Sequence, residues 1–217
     1  VTALDDARLM RRAIALAAQA LGRTWPNPAV GCVIAKNGKT VAEAATSGGG
    51  RPHAEEQALA AAGAQAMGAA AFVTLEPCAE RSSGAASCSE RLARAGVARV
   101  VFACANPHDL SAGAGPGRLV LAGIEVEQGL LADEAAFLYR GFWRRLETGR
   151  PRVEAAQGPE GYDGLFEPAP GEDLAGALER YGQAGFTLLW TPAKGPVAAA
   201  LAGLGLLDEA AGPSAAP

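Results

Sequence analysis

Apolar residues recur with two different periods along the first 150 positions, and the alternation of those periods predicts the elements. Leu9, Met10, Ile14, Ala17 and Leu21 return at helical spacing, so residues 5–21 are expected to be a helix that Gly22 stops. Trp25-Pro26-Asn27-Pro28 cannot be helix interior, because two prolines punctuate it. Residues 29–35 are an apolar, β-branched run of strand length. Asn37-Gly38 is a hairpin signal, since both residues tolerate positive φ, and 40–45 is the return strand. Ser47 to Gly50 reads as a flexible loop. Residues 53–66 are helical by composition, 71–75 form a buried-type strand, 88–95 a helix ended by Gly96, and 98–103 the next strand. A short helix over 118–122 and an edge strand over 124–127 follow. Residues 131–146 form one amphipathic helix, anchored by Phe137, Leu138, Phe142 and Trp143. A hairpin followed by alternating strands and helices implies an α/β fold, a mixed five-stranded sheet covered by helices on both faces.

After Arg150 the texture changes. Residues 151–172 are rich in Gly and Pro and show no clear period. Residues 173–181 and 197–207 are candidate helices, 186–191 a strand, and 212–217 a frayed tail. Charge divides at the same place: residues 1–150 carry 16 basic and 14 acidic side chains, the remainder 3 and 9.

Composition then removes several classes. No apolar run is long enough to span a bilayer. Asp5 and Asp6 interrupt the start of the chain, which has no apolar segment of signal-peptide type. Four cysteines in 217 residues do not make a disulfide framework, and a reducing cytoplasmic location is expected. The net charge of −4 gives no general attraction to nucleic acid. The cysteines are therefore free thiols or metal ligands.

The chemistry is concentrated in few residues. The only histidines are His53 and His108. His53-Ala54-Glu55 opens a helix, Pro77-Cys78 follows a buried strand, and Cys88 comes ten positions later. A His-x-Glu, then a Pro-Cys, then a further Cys is the signature of zinc-dependent deaminases. Imidazole and thiolates suit Zn²⁺, and three protein ligands leave a fourth position for water, whose pKa falls from about 16 to about 7. Glu55, two residues after the histidine, is not a ligand; it is placed to take a proton and return it. Cys78 and Cys88 are expected near helix N-termini, where the dipole favours thiolate. Cys32 and Cys104 lie inside strand runs and read as small core hydrophobes.

Thr24-Trp25-Pro26-Asn27-Pro28, Val30 to Ile34, Pro52-His53-Ala54-Glu55, Val73 to Cys78, Ala95 to Val101 and Glu147-Thr148-Gly149-Arg150-Pro151 resemble the deaminase domain of the bifunctional riboflavin-biosynthesis deaminase/reductase family. The resemblance covers residues 5–152 and implies a cytidine-deaminase-like, three-layer α/β/α fold. It implies hydrolytic removal of the 2-amino group from a phosphoribosylated diaminopyrimidine. It implies Zn²⁺ held by His53, Cys78 and Cys88, with Glu55 as proton shuttle. Asn27 matches a substrate-contacting asparagine. Arg81, Asn106 and His108 are further substrate-side candidates. A cytoplasmic homodimer acting on a small molecule, with neither nucleic acid nor membrane as partner, is the expected state.

The departures are specific. The segment 79–87 is one residue longer than the family's and has lost its His, Thr and both prolines. A family histidine is Thr46 here. Nine residues separate Cys78 from Cys88, where tRNA-editing deaminases have two. Residues 151–217 lack the reductase's Lys-x-Ala-x-Ser-Leu-Asp-Gly opening and read as a degenerate remnant without NADPH binding or reductase activity, packed on the deaminase or capping its sheet. Two other readings stay open: a deaminase of another small aminated heterocycle, and a zinc-stabilised pseudoenzyme that binds a nucleotide or a partner protein.

Overall fold

The structure is a computed structural model and describes residues 3–81, 84–106 and 113–210. Helix α1 (Ala3–Ala20) leads into the hairpin β1 (Gly31–Lys36) and β2 (Lys39–Ala45). Then come α2 (Ala54–Ala62), β3 (Ala70–Leu75), α3 (Cys88–Arg94), β4 (Arg99–Cys104), α4 (Ala114–Leu121) and β5 (Glu125–Gln128). The five strands form one mixed sheet in the order β2-β1-β3-β4-β5. β1 pairs antiparallel with β2 and β3, while β3, β4 and β5 run parallel.

Local chemistry sets several of these boundaries. Asn37 (φ 53) and Gly38 (φ 74) make the expected hairpin turn. Ser87 and Glu90 form a reciprocal capping box that starts α3 at Cys88. Gly31 allows α1 onto the sheet: a Cβ there would lie 1.9 Å from the Ala13 carbonyl oxygen. Successive positions along a strand point to opposite faces, so Cys32, next to Gly31, turns away from α1 and toward Glu55 of α2.

Two sequence expectations need correction. The helix expected over 131–146 is broken into α5 (Ala132–Ala136), a 3₁₀ turn at Phe137–Tyr139 and α6 (Arg140–Thr148). The tighter turn puts Tyr139 fully inside, where its hydroxyl donates to Thr74 Oγ1 at 2.6 Å. The helix expected at 118–122 begins at Ala114, because Pro116 sits in the first turn, where its missing N–H costs nothing, and Gly115 fits against the Pro77 carbonyl. Residues 151–172, to which the pattern assigns no element, contain two strands, β6 (Arg152–Ala156) and β7 (Gly164–Leu165).

With α7 (Leu174–Gln183), β8 (Leu188–Pro192) and α8 (Pro196–Gly203) these form a second, parallel sheet in the order β6-β8-β7. Its core is small: Val153, Phe166, Ala177, Leu178, Leu189 and Leu201. The main core runs from Leu9 to Tyr139. The C-terminal segment packs on the first body. Trp25 stacks on Phe186 with ring centroids 4.2 Å apart, and Gly141 lets α6 rest on the Thr187 carbonyl.

Candidate active site

His53 is the N-cap of α2, and Glu55 lies in its first turn. Cys78 follows the end of β3, and Cys88 is the first residue of α3. Three separate elements thus bring one nitrogen and two sulfurs together. His53 Nδ1 is 3.3 Å from Cys88 Sγ and 3.9 Å from Cys78 Sγ, and the three donor atoms lie within 4.8 Å of one another. A tetrahedral zinc with ordinary Zn–N and Zn–S lengths separates such atoms by about 3.5–3.8 Å, so the donor set fits that ion.

The α3 terminus stabilises thiolate here. The Cys88 backbone N–H donates to Cys78 Sγ at 3.3 Å. Hydrogen bonding from Cys88 pulls the Cys78 thiol down to about 4 against the effect of burial, with His53 helping. Cys88 moves the other way: its hydrogen bond with Cys78 and its burial push the thiol up. Glu55 is 3% exposed, and burial raises its pKa above the usual carboxylate range; His53 opposes that rise and Cys78 adds to it.

A cavity of about 400 Å³ opens on His53, Glu55 and Cys78. Of the substrate-side candidates, Asn27, Arg81 and Asn106 line it; His108 lies outside the described residues. Asn27 is fixed by donating to the Gly50 carbonyl at 3.0 Å, and Gly50 must be glycine, since a Cβ would lie 2.5 Å from Asn27 Nδ2. Arg81 is turned inward rather than toward the cavity mouth: it pairs with Glu56 at 2.8 Å and donates to Cys88 Sγ at 3.8 Å. Cys32 and Cys104 are buried in their strands.

Sequence reasoning passed over four contributors. Glu76 is buried and accepts from the backbone N–H of Gly113 at 2.7 Å and of Asn106 at 3.2 Å, which positions the Asn106 wall. Arg118 ties the segment between the two cysteines to α4 through Ser87, Ser89 and the Ala79 carbonyl. Arg51 and Phe142 line the cavity from opposite sides in sequence. The Glu-Pro-Cys run was the only available signal, and it pointed to Glu76 alone.

This fold and donor set define a zinc-binding deaminase domain of the cytidine-deaminase type. Residues 4–104 match the family model described as the cytidine and deoxycytidylate deaminase zinc-binding region. The chain is 40% identical over 148 residues to diaminohydroxyphosphoribosylamino-pyrimidine deaminase of Buchnera aphidicola, covering 68% of this chain and 100% of that one. It is 44% identical over 169 residues to riboflavin biosynthesis protein RibD of Escherichia coli, covering 78% of this chain and 46% of that one. Acinetobacter baumannii RibD, form 1, superposes with a TM-score of 0.79 at 27% identity, over 94% of this chain and 85% of that one. The chain therefore belongs to the riboflavin-biosynthesis deaminase family, and it spans about half the length of its E. coli relative.

Proposed function

We propose that the chain hydrolytically deaminates a phosphoribosylated diaminopyrimidine, with His53, Cys78 and Cys88 as zinc ligands and Glu55 as proton shuttle. The observation that carries this reading is a buried Glu55 beside the His/Cys/Cys donor set, both opening on one cavity. The name of the fully covered Buchnera relative supports the substrate class. Zinc bound there would supply the Lewis acidity that makes water ionisable near neutral pH.

The chain's own residues do the rest. The Glu55 carboxylate accepts a proton from water, delivers it to a ring nitrogen and then serves the departing amine. Water's oxygen forms the new C–O bond, the exocyclic C–N bond breaks, and ammonia leaves. Asn27 and Asn106 orient the heterocycle from the cavity wall. His108 keeps its substrate-side assignment from the sequence. Arg51 lines the cavity and has no hydrogen-bonded or ionic partner among the described residues, which leaves it for the substrate's phosphate.

Residues 151–217 are assigned no NADPH chemistry. They lack the reductase opening motif and carry Thr191-Pro192-Ala193-Lys194-Gly195 in place of an acidic nucleotide turn. We take the cytoplasmic homodimer implied by the sequence resemblance as the working state.

The altered 79–87 segment favours a second reading, a deaminase of another aminated heterocycle. Ammonia release from a panel of phosphorylated pyrimidine, its dephosphorylated form, free bases and nucleosides tests both. Turnover of the phosphorylated diaminopyrimidine alone supports the first; preference for an unphosphorylated compound overturns it.

A further inference from the structure

Arg81 comes from the segment that departs most from the family's pattern, yet its side chain is only 5% exposed. A guanidinium that deep needs polar partners, and Arg81 has two, a carboxylate and a sulfur. Nη1 meets Glu56 Oε2 at 2.8 Å, and Nη2 donates to Cys88 Sγ at 3.8 Å. Glu56 is also 3.5 Å from Arg91 Nε of α3. Glu56 adjoins Glu55 on α2, and Arg91 lies on the helix that Cys88 opens. The contacts therefore link the helix carrying His53 and Glu55 to the helix carrying Cys88, across the loop that carries Cys78.

We infer that Arg81 is a positioning residue of the zinc site: braced by Glu56, it holds the Cys88 sulfur in place and disperses its charge, and it does not bind the substrate's phosphate. The inference rests on the ligand assignment proposed above. Partners that hydrogen-bond a metal ligand fix its orientation, and their loss weakens metal binding about 10–100-fold. Lysine is a point charge and cannot reach Glu56 and Cys88 together as the fork of arginine does.

The test is competition for zinc between the full chain and a chelator, together with the thiolate-to-cobalt charge-transfer bands of the Co²⁺-substituted protein. Arg81→Met is expected to hold zinc about 10–100-fold more weakly and to shift the cobalt bands, with Arg81→Lys recovering part of both. Glu56→Gln, which leaves Arg81 unbraced, is expected to weaken zinc by a smaller factor and serves as the readout if Arg81→Met does not fold. Variants that hold zinc within threefold of wild type with unshifted cobalt bands overturn the inference. So does an Arg81→Met protein whose only defect is a raised KM for phosphorylated substrate. Wild-type chain that binds no zinc at one equivalent overturns the ligand assignment itself, a result distinguishable from both.

Discussion

Glu55 and Glu154 are both buried carboxylates, one in each part of the chain, at 3% and 0% exposure. Their surroundings differ. Glu154, on β6, accepts from Arg140 at 2.8 Å, from Arg152 at 2.7 Å and from the Tyr162 hydroxyl at 2.9 Å. Burial pushes its pKa up, but these partners overcome it and hold the carboxyl below the usual range. Among the described residues no arginine or lysine is braced against Glu55 in this way; it faces the cavity, and burial prevails. A buried acid with saturated partners fastens two layers together, whereas one kept near a cavity remains free to exchange a proton.

The sharpest way to break this contrast is Glu55→Gln. Ammonia release should fall by about 10²–10⁴-fold, with zinc content and melting behaviour near wild type. Activity that survives removes the proton-shuttle role.

Glu154→Ala should do the reverse. It strands Arg140 and Arg152 and should cost about 3–5 kcal/mol in denaturant unfolding, with kcat per folded molecule unchanged. The pH dependence follows from the same group. Its folded pKa is depressed, so its stabilisation is complete above the unfolded carboxylate range and is lost as pH falls through the folded value. Wild type should therefore lose more stability than Glu154→Gln on acidification; parallel curves would show that the pair contributes nothing.

Phe186→Ala sharpens the link between the two parts. It removes the ring stacked on Trp25, two residues from Asn27, and unpins the chain beside Thr187, whose carbonyl meets Gly141 next to Phe142. A loss of about 2 kcal/mol and a raised KM are expected, since both residues line the cavity. An unchanged KM would make the C-terminal segment a passenger.

The smallest effect is that of Arg51→Ala. KM for the phosphorylated substrate should rise about tenfold, the size of one charged hydrogen bond, with the dephosphorylated compound unaffected. Equal effects on both would move phosphate recognition elsewhere.

Much of this was legible in the chain. The hairpin followed from Asn37-Gly38, the β3–α3 and β4 elements from their apolar runs, and the donor set from residue type and order. These features are local: turn chemistry, periodicity and ligand softness act over a few residues. The broken helix at 137–139 was not legible, because Tyr139 is drawn inward by Thr74, 65 positions away. Nor were β6 and β7, whose partners are parallel strands remote in sequence and whose Gly- and Pro-rich setting hides any period.

Sequence alone thus determined which side chains are suited to zinc and to proton exchange, since that is a property of side-chain chemistry. Tertiary structure decided what the neighbouring charges do. Arg81 reads from the sequence as a substrate-side cation, and the fold adds Glu56 and Cys88 around it, while no local pattern announces the three donors that meet Glu154. A charge takes its role from its partners and its burial, and only the packed chain supplies those.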